Sequence, residues 1–72
     1  MTSVVKRSIS IRGHRTSFSI EQPFYDELHN IADKRGLPLA RLVGEIDEAR
    51  PRSTNLSSAL RLFVLEAVRA RA

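Results

Sequence analysis

The stretch Ser8-Ile-Ser-Ile-Arg-Gly-His-Arg-Thr-Ser-Phe-Ser-Ile20 decides how the rest of this chain must fold. Polar and apolar residues alternate on both sides of Gly13-His14, the period of a strand whose side chains point to opposite faces in turn. A two-residue turn with glycine first suits a type II′ hairpin. That register sets Arg12 opposite Arg15, Ile11 opposite Thr16, Ser10 opposite Ser17 and Ile9 opposite Phe18. Ile9, Ile11, Phe18 and Ile20 then share one face, while Ser8, Ser10, Arg12, Arg15, Ser17 and Ser19 share the other. The pattern predicts a strand over 15–20. Residues 7–12 are either an extra strand paired with it or a loose basic arm.

Three helices follow. Pro23 fits a first helical turn, where a missing N–H is harmless, and Glu21, Asp26 and Glu27 complement the positive end of the dipole. Phe24, Leu28, Ile31 and Ala32 form one apolar stripe, and Gly36 supplies the left-handed stop after Lys34 and Arg35. The first helix is thus about 22–35. Leu39, Leu42, Val43 and Ile46 repeat at helical spacing over about 38–49, and Pro51 forbids continuation. After a polar link over 50–55, Asn55 is a good N-cap for a third helix over about 56–70. Its stripe of Leu56, Ala59, Leu60, Phe63, Val64, Ala67 and Val68 is wide, with Leu62 and Leu65 on the flank. Left alone, so apolar a helix would keep a sizeable patch wet, so a second subunit is expected to cover it.

The composition agrees. The chain has 72 residues, 42% hydrophobic and 28% charged, which makes one globular domain over 1–72 and not a disordered segment. Folds of this size usually need disulfides, a metal or a partner chain. Cysteine is absent, and His14 and His29 lack companions at ligand spacing, so no metal or other cofactor is expected. A second copy of the chain is the remaining stabiliser. No stretch approaches the ~20 apolar residues of a membrane span, and no secretory h-region follows Lys6 and Arg7, so a cytoplasmic protein is expected.

The net charge of +4 is unevenly spread. Residues 1–20 carry four bases and no acid, residues 21–50 carry seven acids against four bases, and residues 51–72 carry four bases against Glu66. An acid-free basic segment in so small a chain fits either a polyanionic partner or a solvated arm. Catalysis is not expected: there is no nucleophile elbow and no glycine-rich phosphate loop. His29 reads as a partly exposed helix residue, and Glu45, Asp47 and Glu48 as solubilising charges.

A short polar-faced strand cannot stand alone, but paired with its copy from a second subunit it makes a two-stranded ribbon. The major groove, ~12 Å wide, admits such a ribbon. Arginine can donate two hydrogen bonds to guanine, and a serine hydroxyl can donate or accept with any base. Arg15, Ser17 and Ser19 are therefore the expected base-contacting residues, with Lys6, Arg7 and Arg12 expected at phosphates.

From Arg15-Thr-Ser-Phe-Ser-Ile-Glu21 through Lys34-Arg-Gly-Leu37 to residue 49, the chain resembles the ribbon-helix-helix family of Arc, MetJ and CopG. More narrowly, Lys6-Arg-Ser-Ile-Ser-Ile11, Gly13-His-Arg-Thr-Ser17, Leu42-Val-Gly-Glu-Ile-Asp47 and Asn55-Leu-Ser-Ser-Ala-Leu-Arg-Leu-Phe-Val-Leu65 look like a group of small bacterial ribbon-helix-helix proteins. The resemblance implies an α+β, mainly α fold: an intertwined homodimer with an intersubunit antiparallel ribbon. It implies a dimer core of Phe18, Ile20, Leu28, Ile31, Leu42, Val43, Ile46, Leu60 and Phe63. It also implies a nucleoid-bound repressor that inserts the ribbon in the major groove, with outward residues mapping to Arg15, Ser17 and Ser19.

Two departures stand out. Where the family often has a Ser or Thr clamping phosphate at the start of the second helix, this chain has Pro38, leaving the amides of Leu39 and Ala40. An extra strand over 7–12 would also widen a dimer's ribbon to four strands. The rival reading is a dimeric protein-interaction module, antitoxin-like or an adaptor, that docks a partner through the third helix.

Overall fold

In the computed structural model, which describes residues 3–71, the alternating stretch forms a hairpin. Strand β1 (Val4–Ile11) pairs antiparallel with β2 (His14–Glu21), from Val4 opposite Glu21 to Ile11 opposite His14. The N-terminal segment is therefore a paired strand and not a loose arm.

The turn differs from the type II′ expected. Its loop residues are Arg12 and Gly13, both at positive φ (52° and 81°), as a type I′ turn requires. Two placements of charge accord with this register. The expected register would have set Arg12 directly opposite Arg15, a destabilising pair of like charges. In the observed register Arg15 faces Ser10, and Arg12 is released into the turn to form an ion pair with Glu48. Partners shift by two positions, which preserves the parity of the strands, so every residue except Arg12, now in the turn, keeps the face that the alternation predicted.

Helix α1 (Gln22–Arg35) begins directly after β2, with Pro23 in its first turn, and stops at Gly36, whose φ is 69°. The amide of Leu37 donates to the Ala32 carbonyl (2.9 Å) and that of Gly36 to the Asp33 carbonyl (3.1 Å), closing the helix in a left-handed cap. Helix α2 (Leu39–Ala49) starts one residue later than expected, because Pro38 is extended and acts as the N-cap. Helix α3 (Leu56–Arg71) opens on Asn55, whose side-chain oxygen accepts from the Ser58 amide at 2.8 Å. The link before it is tied down by Arg50, which donates to Asp47 (2.8 Å) and to the Thr54 carbonyl (2.6 Å).

The three helices pack under the inner face of the hairpin. Ile20, Leu28, Leu42, Val43 and Leu60 are fully buried there, with Ile11, Phe18, Ala32, Ile46, Leu56 and Val64 nearly so. Ile31 and Phe63, expected in the same core, are half-buried against it. This core closes inside one chain. Of the stripe on α3, Leu56, Leu60 and Val64 are buried by the chain's own α1, α2 and β2. Leu62 and Leu65 on the flank stay exposed, and so does Val68, which the stripe had placed in the buried face but which lies in the last turns of α3, beyond the elements packed against it.

Candidate nucleic-acid interface

Strict alternation gives the hairpin a second, outward face. Lys6, Ser8 and Ser10 of β1 and Arg15, Ser17 and Ser19 of β2 are all exposed there. The register sets Lys6 opposite Ser19, Ser8 opposite Ser17 and Ser10 opposite Arg15. The hydroxyls of Ser8 and Ser17 lie 3.4 Å apart. No carboxylate interrupts these six positions. The nearest acid along the strand, Glu21 at the far end of β2, accepts a 2.8 Å hydrogen bond from the Arg61 side chain of α3. That bond, helped by Glu21's own backbone amide, holds its carboxyl below the ordinary range.

Arg7 does not join this face. In a paired strand, neighbours along the chain point to opposite sides, so Lys6 and Arg7 cannot both face outward. The Arg7 guanidinium lies 4.2 Å from the centroid of the Tyr25 ring and donates to the Gln22 side-chain oxygen at 2.5 Å, while its Nε is buried without a partner. The expectation that Lys6 and Arg7 act together rested on an unpaired arm, and β1 is paired. Tyr25 in turn meets His29 edge to face, with ring centroids 4.8 Å apart.

The turn end of the hairpin lies beside the start of α2. Here Ser10, Arg12, Ala40 and Arg41 line a cleft of about 420 Å³, with the Glu45 carboxylate also in its wall. The amides of Arg41 (3.0 Å) and Leu42 (3.2 Å) bond back to the Pro38 carbonyl, and no side chain caps the helix. Leu39 and Ala40 are half-buried in this first turn. Arg41, exposed in the same turn, also faces this cleft, which its sequence position does not reveal because there it is one more solvated charge on a helix. Ser8 and Ser10 share the outward face with Arg15, Ser17 and Ser19, as their alternation predicts.

A second, apolar groove of about 380 Å³ runs between α2 and α3, with Leu42, Ile46, Ala49, Leu62 and Phe63 among its lining. Among the described residues, no group of three or more His, Cys, Asp or Glu side chains is placed to hold a metal ion, and no helix is long and apolar enough to cross a membrane.

An antiparallel strand pair with one apolar and one basic, hydroxyl-rich face, leading into packed helices, is the architecture of a ribbon-helix-helix domain. A family model for the ribbon-helix-helix domain matches residues 4–68, and the chain belongs to that family. Its members generally bind DNA as transcription regulators or act as antitoxins, typically dimerise, and are typically not enzymes. No curated protein and no solved structure matches the chain.

Proposed function

We propose that this protein is a sequence-specific DNA-binding transcriptional regulator, acting as a repressor on the bacterial nucleoid in the cytoplasm, and that it binds through the outward face of its ribbon. The observation that carries the reading is that face itself: two cations and four serines, all exposed, with no acid among them. Arg15, Ser17 and Ser19 take base edges, the arginine by two hydrogen bonds to guanine. Arg12, Arg41 and the amides of Leu39 and Ala40 take phosphate at the turn end of the ribbon.

The working unit is a homodimer. Its support is the family's habit of dimerising together with the exposed apolar flank of α3, Leu62, Leu65 and Val68. The second reading, a protein-interaction module, is favoured by the apolar groove between α2 and α3.

Selection of binding sites from random duplexes at low salt tests the proposal. A DNA reader enriches one sequence and loses affinity steeply with salt, with a log–log slope of about −0.9 per neutralised phosphate. Failure to enrich any sequence overturns it in favour of the interaction module, whose apolar docking responds little to salt.

A further inference from the structure

The two strands of the hairpin are copies of one another. Lys6-Arg-Ser-Ile-Ser-Ile11 and Arg15-Thr-Ser-Phe-Ser-Ile20 share the pattern base, variable, serine, apolar, serine, isoleucine, nine residues apart. The observed register turns this repeat into symmetry. With Ser8 opposite Ser17, a two-fold axis through that pair, normal to the sheet, carries each residue of the first copy onto its equivalent in the second. On the outer face it exchanges Lys6 with Arg15, Ser8 with Ser17 and Ser10 with Ser19. On the inner face it exchanges Ile9 with Phe18 and Ile11 with Ile20. The two hydroxyls, 3.4 Å apart, face each other across the axis.

We infer that β1 takes the place of a partner's strand, so that a single chain supplies a complete, quasi-symmetric ribbon that reads a quasi-palindromic DNA element. This rests on the DNA-binding reading above. It assigns three further specificity residues, Lys6, Ser8 and Ser10, to base edges. Lys6, expected at phosphate while its segment was an arm, becomes the counterpart of Arg15.

Dimensions favour the single-chain ribbon. Neighbouring strands lie ~4.8 Å apart, so the hairpin is as narrow as any two-stranded ribbon. Pairing β2 with a second β2 would have to use its other edge, because β1 occupies this one. The resulting four strands would span roughly 14 Å between outer strand axes, wider than a major groove of about 12 Å before side chains are added. The two cations occupy diagonal corners of the single-chain ribbon, four residues apart along the strand direction. That is roughly 14 Å, or about four base steps.

The test is binding-site selection on wild type, Lys6→Ala and Arg15→Ala, all exposed positions whose loss leaves the core alone. The single-chain ribbon predicts that, within the element one chain reads, each substitution relaxes preference at one position, that the two positions differ, and that they lie about four base pairs apart. Affinity for the wild-type site should fall about tenfold in each case, since a lost base contact acts locally. Lys6→Arg should retain binding and make the selected element more symmetric. If instead Arg15→Ala relaxes two dyad-related positions and Lys6→Ala weakens all sequences alike, the ribbon is intersubunit, and the single-chain inference fails while DNA reading stands. If wild type itself enriches nothing, the DNA reading has failed first and takes this inference with it.

Discussion

Ile11 rests on Gly44: a Cβ added at residue 44 would lie 3.1 Å from the Ile11 Cγ2. The last residue of β1 thus packs onto the middle of α2 at the one place where that helix has no side chain, which brings the turn end of the ribbon down beside the first turn of α2. Gly44→Leu should force Ile11 away and destabilise the protein by about 1–3 kcal/mol through overpacking. Gly44→Ala should change stability by less than about 1 kcal/mol, because the helix gain of alanine offsets a contact only slightly too close. Urea unfolding of the two variants checks both, and a Gly44→Leu protein as stable as wild type would show that the hairpin tip is not seated there.

Phe18 and Ser17 are neighbours on β2 with opposite environments, the first buried and the second exposed. Phe18→Ala should cost about 3–5 kcal/mol, enough to unfold so small a domain, whereas Ser17→Ala should stay within about 0.5 kcal/mol of wild type. Thermal melts of the pair decide it. An unchanged Phe18→Ala melt would mean that the faces are inverted.

Arg7 should matter to the fold and not to DNA. Removing it deletes the contact with the Tyr25 ring and the bond to Gln22, so Arg7→Ala should lose about 1–2 kcal/mol. The salt dependence of DNA affinity should not change, since no phosphate contact is lost. A flattened salt slope with unaltered stability would place Arg7 on the outside.

Glu21 gives stability a pH dependence. The Arg61 hydrogen bond lowers its folded pKa below the ordinary 4.5, so the unfolded chain binds the proton more readily. The contribution is present above 4.5 and is lost as pH falls below that value through the folded pKa. Wild type should therefore exceed Glu21→Gln in urea midpoint at pH 7, and the gap should close on acidification below pH 4.5. A gap that persists unchanged at pH 3 would exclude the ion pair as its source.

Self-association should be separable from folding. The core closes within one chain, so dilution should yield a folded monomer, and Leu62→Glu with Leu65→Glu should abolish dimers without altering the circular dichroism. Sedimentation velocity over a range of concentrations reads this. Unfolding of the double variant, or dissociation that coincides with unfolding, would restore the obligate dimer.

The helix limits were legible because their causes are local. Pro23, Gly36, Pro51 and Asn55 act within a turn of their own positions, and α1 occupies the residues expected of it while α2 and α3 differ by one residue at one end. The strand faces were legible for a related reason: alternation depends only on parity, and a two-residue slip cannot change it. The outward face of the hairpin was half legible. Arg15, Ser17 and Ser19 stand where the pattern put them, but Arg7 does not, since its direction depends on whether β1 is paired.

The sequence by itself determined the order of the helices, their ends to within one residue and the faces of the alternating serine, isoleucine and phenylalanine positions, all of which follow from periods and caps spanning a few residues. Tertiary structure alone decided the turn, the pairing of β1 within its own chain, the inward course of Arg7 and the burial of α3. Each of these depends on groups distant along the chain: Arg12 with Glu48, Ile11 against Gly44, Arg7 over Tyr25, and Arg61 with Glu21. Local hydrophobic period is identical in either register and for either strand partner. Only the summed energy of those long-range contacts tells the alternatives apart.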